Sequence, residues 1–353
     1  MFATYNHERG NSLLGKCHDA QVELQTVVKD ILAWEASEEE SKVFSVYQRL
    51  NRHLPLEGRA LGRLSEKELQ DEAIYGAFHP EDALSCIKDA SRTWRFVKAV
   101  SESLKELEGS FPGQDLHVLD AGCGPLAFLG IIAAHHSKRV KVTALEVNPR
   151  SVILARKTLD HFGLGDRVRV ECTDARTYIP SKPYHLVISE TFDSGMAEEK
   201  GGDILSQSIR FLVAGGRVVP ETLSIKGALV SKNVFEVGCQ GQWADNIDWK
   251  TALRASFVGE GTGFNPYIQC DINIPQNLAP GDYVLVLTTV LEFNSSIVAL
   301  KLPALSPITF PRSVAKLRLK ERFTGEGQIY FQFIAGDLAG GMHLTYPSQF
   351  TRA

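Results

Sequence analysis

Between residues 116 and 220, short apolar runs alternate with segments whose apolar residues recur every three or four positions. Short apolar runs bounded by turn formers read as buried strands, and the three-to-four spacing reads as amphipathic helix. Strands are therefore expected at 116–120, 140–146, 167–172, 184–190 and 216–219, with helices at 126–136, 149–162 and 202–213. Such alternation implies an α/β domain with a mainly parallel, doubly wound sheet, helices on both faces and ligands at the carboxyl ends of the strands. Asp120, Glu146, Asp174 and Glu190 all fall at or just after those ends. Upstream, DAQVELQTVVKDILAWEA and ESKVFSVYQRL keep helical spacing, so residues 1–75 read as an N-terminal helical segment, and a further amphipathic helix is expected over 82–108. After Pro220 the texture changes. SIKGALVSK, YVLVLTTVLEF, SVAKLRLKERF and GQIYFQFIAG alternate or run apolar between Gly and Pro, which predicts a β-rich domain, barrel-like or a sandwich, over 221–353. The α/β domain then occupies 76–220.

The stretch VLDAGCGPLAFLG, residues 118–130, turns an apolar strand ending at Asp120 into an apolar helical run through Gly122-Cys123-Gly124. Glycines at 122 and 124 let the backbone pass close to a ligand. The next strand, VKVTALE, ends on Glu146, an acidic residue well placed to hold a ribose diol. Together these describe an adenosine-type nucleotide site. Two cofactors fit it. Read as GxGxxA through Ala127, with Glu146 some twenty residues on, the run meets the dinucleotide fingerprint. Asp120 favours the other, because a carboxylate ahead of the glycines is awkward beside a pyrophosphate and suits the cationic aminoacyl end of S-adenosylmethionine. A plain strand-to-helix turn is the structural alternative.

The fourth strand, YHLVISE, delivers Glu190, and the loop SETFDSGMAEEKGGD places Glu199 nine residues later, with Asp193 and Glu198 between. A loop that turns back on itself points two carboxylates into one place. A guanidinium is the best match, since it is planar, always charged and offers paired N–H donors. Two carboxylates orient it, draw charge from the attacking nitrogen and stabilise the charge that develops during transfer. The competing reading is a solvated acidic loop.

Composition removes several classes. The chain has 353 residues, a formal net charge of −4 and 44% apolar residues, so no global basic field favours nucleic acid. No apolar run is long enough for a bilayer and MFATYNHERG lacks a signal core, so no membrane association is expected. Six cysteines (17, 86, 123, 172, 239, 270) form no CxxC pair, which favours reduced thiols in a cytoplasmic protein. Ten histidines show no HExxH spacing, and no metal is expected.

VLDAGCG and ALEVNP resemble the first motif and the ribose-binding strand end of the class I methyltransferases, which implies a Rossmann-like fold and S-adenosyl-L-methionine as cofactor. SETFDSGMAEEKG resembles the double-glutamate loop of the protein arginine methyltransferases and implies that Glu190 and Glu199 are the catalytic pair. Asp193, three residues after the first glutamate, brings the loop closest to the monomethylating branch. HPEDALSCIKDASRTWRF resembles that family's N-terminal helix motif KDxxRT, matching at Asp89, Arg92 and Thr93, and implies that Arg92 binds the cofactor carboxylate. Asp174, in VECTDAR, matches the region that contacts the adenine, and VVPETLSIKGALV resembles the family's passage into its β-barrel. Gly122, Gly124, Asp120 and Glu146 complete the implied cofactor set. There are departures. Leu126 stands where class I enzymes often have a third glycine. No Thr-His-Trp loop is evident, the nearest place being Thr309 and Phe310, and no dimerisation arm is evident either. The resemblance implies an arginine-directed N-methyltransferase whose partner is a small guanidine molecule or an arginine-containing protein, with a homodimer left open. Methyl transfer to another small metabolite, a nicotinamide-dependent oxidoreductase and a non-catalytic binding protein are the alternatives.

Overall fold

A computed structural model describes residues 90–353 except 197–198, 239–246, 258–263, 294–299, 302–311, 336 and 338–341, together with helical positions at 80, 83 and 86. The expected helical segment at 1–75, and Asp89, Glu198, Thr309 and Phe310, lie outside the described residues.

Helix α1 (Ala90–Ser110) buries Phe96, Val97, Val100, Leu104 and Leu107, a single stripe at helical spacing. Strands β1 (Leu116–Ala121), β2 (Val140–Glu146), β3 (Val168–Cys172), β4 (Tyr184–Ile188) and β5 (Leu212–Val219) form one sheet in the order β3-β2-β1-β4-β5, every pair parallel. β4 is buried along its whole length and β1 at all but one position, which is why both read as continuous apolar runs rather than alternating ones. Helix α2 (Phe128–His136) follows β1, and α3 (Pro149–His161) follows β2. α3 starts where its sequence says it should: Pro149 opens it, and the Asn148 side chain accepts from the Arg150 and Ser151 amides. Strand order reverses between β1 and β4, so their carboxyl ends flank the crevice where doubly wound sheets bind ligands. The Ser189 hydroxyl, just past β4, donates to the Ala121 carbonyl at 2.9 Å and ties those two ends together.

One stretch differs from the sequence reading. The helix expected over 202–213 stops early, as α4 (Gly201–Ser208) and a 3-10 turn at Ile209–Phe211, and β5 starts at Leu212 instead of 216. Tyr184 pairs with Leu212 while Leu186 pairs with Arg217, so the residues between bulge out of the ladder, with Gly215 at φ 79°. An irregularity of that size erases the period-two signal.

The chain divides into two compact units: one runs through Ser189 and adds Phe211–Val219, and the other comprises Glu190–Arg210 and Pro220–Ala353. The second is antiparallel. β6 (Thr222–Ser231), β7 (Lys250–Ser256), β9 (Gly281–Glu292), β10 (Leu300–Lys301), β11 (Arg312–Leu319) and β14 (Phe350–Arg352) make a six-stranded sheet, while β8 (Tyr267–Asn273), β12 (Gln328–Ile334) and β13 (His343–Thr345) make a three-stranded one. β8 alternates strictly, burying Ile268, Cys270 and Ile272. The two sheets meet over Gly227 of β6, where a Cβ would lie 3.1 Å from both Ile272 and Phe331. A short helix, α5 (Lys232–Gly238), brings Val234 and Phe235 against Ala228, Val230, Val284 and Val286.

Candidate active site: a glycine turn and an acidic loop

In the first unit, β1 hands the chain to a turn with two left-handed glycines, Gly122 (φ 84°) and Gly124 (φ 66°). The Gly122 and Cys123 amides both donate to the Leu145 carbonyl, at 3.0 and 2.9 Å, so the turn is fastened to β2. A Cβ on Gly124 would meet nothing within 4 Å, leaving open space beside the backbone there. Glu146 closes the cradle. Its Oε2 accepts from the Gly124 amide at 2.9 Å and its Oε1 from the Asn148 amide at 2.8 Å. An ionised carboxylate offers about four acceptor sites, so lone pairs remain on both oxygens for a vicinal diol. Burial pushes the Glu146 pKa up, against the pull of backbone amides from Asn148, Gly124 and Val147.

Asp120 lies deeper than its sequence position implies. It is 1% exposed, and its Oδ2 accepts from the Gly130 amide at 2.9 Å. The formal cap of α2, Ala127, contributes no side-chain bond, so Asp120 caps the helix from the preceding strand. Burial raises its pKa to about 7, the Gly130 amide opposes this, and the Glu146 charge adds to it. The Cys123 thiol is likewise pushed well up by burial and then by the same two acids. A pyrophosphate would add negative charge to this pair, whereas a cationic ligand relieves it. The departure at Leu126 leaves no left-handed demand there, since Leu126 is buried and the left-handed residue is its neighbour Ala127 at φ 46°.

Asp174 follows β3 and is engaged by Arg176, whose Nε lies 3.0 Å from each carboxylate oxygen and whose backbone amide donates to Oδ1 at 2.9 Å. Arg92 sits in the first turn of α1 and is 4% exposed.

Glu190 and Glu199 belong to the second unit, and both are half-buried. Their loop closes on itself. A Cβ on Gly201 would stand 2.2 Å from the Thr191 carbonyl and 2.5 Å from the Phe192 ring, so the segment's two ends touch backbone to backbone, one residue after Glu190 and two after Glu199. Between them, a 3-10 turn at Ser194–Met196 has the Met196 amide donating to the Asp193 carbonyl. Asp193 Oδ1 accepts from the Glu199 amide at 3.3 Å. The Thr289 hydroxyl of β9 donates to the Asp193 carbonyl at 2.6 Å and accepts from the Gly195 amide at 2.9 Å. The Gly201 closure and the Thr289 contacts have no local signature; the nearest hint is the polar pair Thr288-Thr289 inside the apolar run YVLVLTTVLEF.

Residues 118–216 match the family model described as a methyltransferase domain. Over those residues the chain carries a methyltransferase domain. Such a domain takes S-adenosylmethionine as its methyl donor, and the cradle fits it: open space over Gly124, unspent lone pairs on Glu146, and a pair of acids that favours a cation. No curated protein sequence matches the chain. Among solved structures, the one titled "Crystal structure of PRMT6-SAH" superposes with a TM-score of 0.52 at 10% identity, covering 74% of this chain and 98% of that one. That likeness extends the agreement from the methyltransferase domain to the β-rich region as a matter of fold. No helix among the described residues is long and apolar enough to cross a membrane. Among the same residues no cluster of three metal-ligating side chains occurs, and Cys123, Cys172 and Cys270 are free thiols.

Proposed function

We propose that this protein transfers a methyl group from S-adenosylmethionine to a guanidine nitrogen of arginine, either the free amino acid or a residue in a protein. The observation that carries the reading is the closure of the loop at Gly201 on Thr191, which draws Glu190 and Glu199 to the two ends of one tight segment. Two half-buried carboxylates held this way match the paired N–H donors of a guanidinium.

On this reading Glu146 holds the ribose diol, the Gly122–Gly124 turn gives the donor room, Arg92 pairs with the donor's carboxylate and Asp174 lies toward the adenine. S-adenosylmethionine, when bound, supplies an electrophilic methyl carbon on a sulfonium. Glu190 and Glu199 fix the guanidinium plane and pull its positive charge away from the attacking nitrogen, so that nitrogen's electron pair is available to the methyl carbon. Transfer would make one N–C bond for the C–S bond lost, the sulfur keeping that bond's electrons, and the methylated nitrogen would pass its extra proton to solvent.

The test is mass spectrometry of reactions holding S-adenosylmethionine with free L-arginine or an arginine-rich peptide. A product heavier by one CH₂ that fragments at the guanidine supports the reading, and whichever acceptor gains it defines the substrate class. Glu190→Gln and Glu199→Gln should each lower kcat on the order of 10²–10³, with donor binding retained. Full activity in both variants, or methylation of a non-guanidine acceptor alone, would refute it.

A further inference from the structure

We infer that Thr289, on β9, is the positioning residue of the acidic loop, acting through Asp193 to fix where the two glutamates stand. The inference rests on the guanidine reading for its catalytic meaning and on the second unit alone for its geometry.

Thr289 is 0% exposed and, with Thr288, interrupts an otherwise apolar run of β9. Its hydroxyl is used twice on the same turn, as donor to the Asp193 carbonyl (2.6 Å) and acceptor from the Gly195 amide (2.9 Å). A buried hydroxyl with donor and acceptor both spent on one backbone turn resists any shift of that turn, because a shift strands polar groups away from water. The fit is close. Gly195 sits at φ 78°, and a Cβ there would stand 2.7 Å from the Leu287 Cβ, so the turn lies backbone-down on β9 just where Thr289 projects.

Asp193 carries the constraint to the second glutamate. Its carbonyl is gripped by Thr289 and also receives the Met196 amide at 3.2 Å. Its carboxylate, on the other side of the residue, accepts from the Glu199 amide at 3.3 Å. Glu190 stands three residues before this anchor and Glu199 six after, so one fixed point governs both. Orientation of a reacting group is worth orders of magnitude in rate, and a misplacement of about 1 Å costs on the order of a hundredfold. Thr289 acts on the backbone that carries the two glutamates.

The experiment compares Thr289→Val, which keeps shape and deletes the hydroxyl, with Thr289→Ser, which keeps the hydroxyl. Three quantities are read on the full chain: exchange of the Gly195 amide hydrogen, affinity for S-adenosylhomocysteine, and kcat on whichever arginine acceptor the wild type uses. Thr289→Val should lose protection at Gly195 and lower kcat about tenfold to a hundredfold, with affinity for S-adenosylhomocysteine within about twofold of wild type. Thr289→Ser should recover most of both losses. Retained protection and kcat in Thr289→Val, or an equal fall in Thr289→Ser, would overturn the inference. Should Thr289→Val not fold, Asp193→Ala against Asp193→Asn decides: Asn keeps an acceptor for the Glu199 amide and should restore the rate that Ala loses, and wild-type rate in Asp193→Ala would overturn the inference. If the wild type methylates no guanidine, the functional reading falls, while the Gly195 exchange result still decides whether Thr289 pins the loop.

Discussion

The glycine turn and the acidic loop are built by opposite strategies. The turn at 122–124 is held by β2 next door: Leu145 takes two of its amides, and Glu146, 22 residues from Gly124, takes a third. The acidic loop is held by residues that only the folded chain brings near, with Thr289 lying 94 and 96 positions from its two partners. A cradle made of neighbouring strands forms with the sheet itself. A loop pinned to a distant strand has its geometry set by the packing of a different sheet.

That contrast can be broken at several points. The largest effect is expected from Gly201→Ala, which puts a Cβ 2.2 Å from a backbone oxygen that has no flexible end to give way. It should cost on the order of 3 kcal/mol by thermal unfolding and abolish turnover even where the fold survives. Glu146→Ala removes the proposed diol acceptor and strands two backbone amides. S-adenosylhomocysteine affinity should fall on the order of a hundredfold by calorimetry, and an unchanged affinity would remove Glu146 from the cofactor site. A smaller effect follows from the raised pKa of Asp120. Its folded value of about 7 exceeds the ordinary 3.8, so the protonated form is favoured in the folded state. The stability this gives is complete below about pH 4 and is lost as pH rises through 7. Measured without cofactor, wild type should therefore lose stability from pH 5 to 8 relative to Asp120→Asn, which keeps an acceptor for the Gly130 amide and cannot ionise. Parallel curves for the two proteins would contradict the burial argument. The smallest effect is at Ala127, whose φ of 46° is left-handed and unfavourable for a residue with a Cβ. Ala127→Gly should stabilise by about 0.5 kcal/mol, the relief exceeding the added chain entropy of glycine. A loss of stability would mean the Ala127 methyl packs too well to spare.

The same contrast explains what could be read from the sequence. The five parallel strands, α3 with its Asn148-Pro149 start, and Gly122, Gly124 and Glu146 are legible because each depends on its own run and the strand beside it. Asp120 was legible as an acid at a strand end but not as the cap of α2, since the partner amide of Gly130 is set by how the helix docks. β5 is longer than its sequence pattern signals because its bulge at Gly215 breaks the alternation. The loop of Glu190 and Glu199 was visible as two acids nine residues apart, but its closure at Gly201 and its anchor at Thr289 are tertiary facts with no periodic trace.

Glu146 has a bearing on how the protein would respond to its surroundings. Its carboxylate and the glycine turn already hold each other through the Gly124 amide, so the part of the site proposed to face a ribose needs no ligand to take shape. A ribose pocket formed in advance would grip any molecule carrying that sugar, spent donor as readily as fresh, and only a contact at the sulfur, with its charge and its methyl group, would tell them apart. Turnover would then follow the balance between donor and its demethylated by-product, and an activity that clears the by-product would control this protein as effectively as the supply of acceptor.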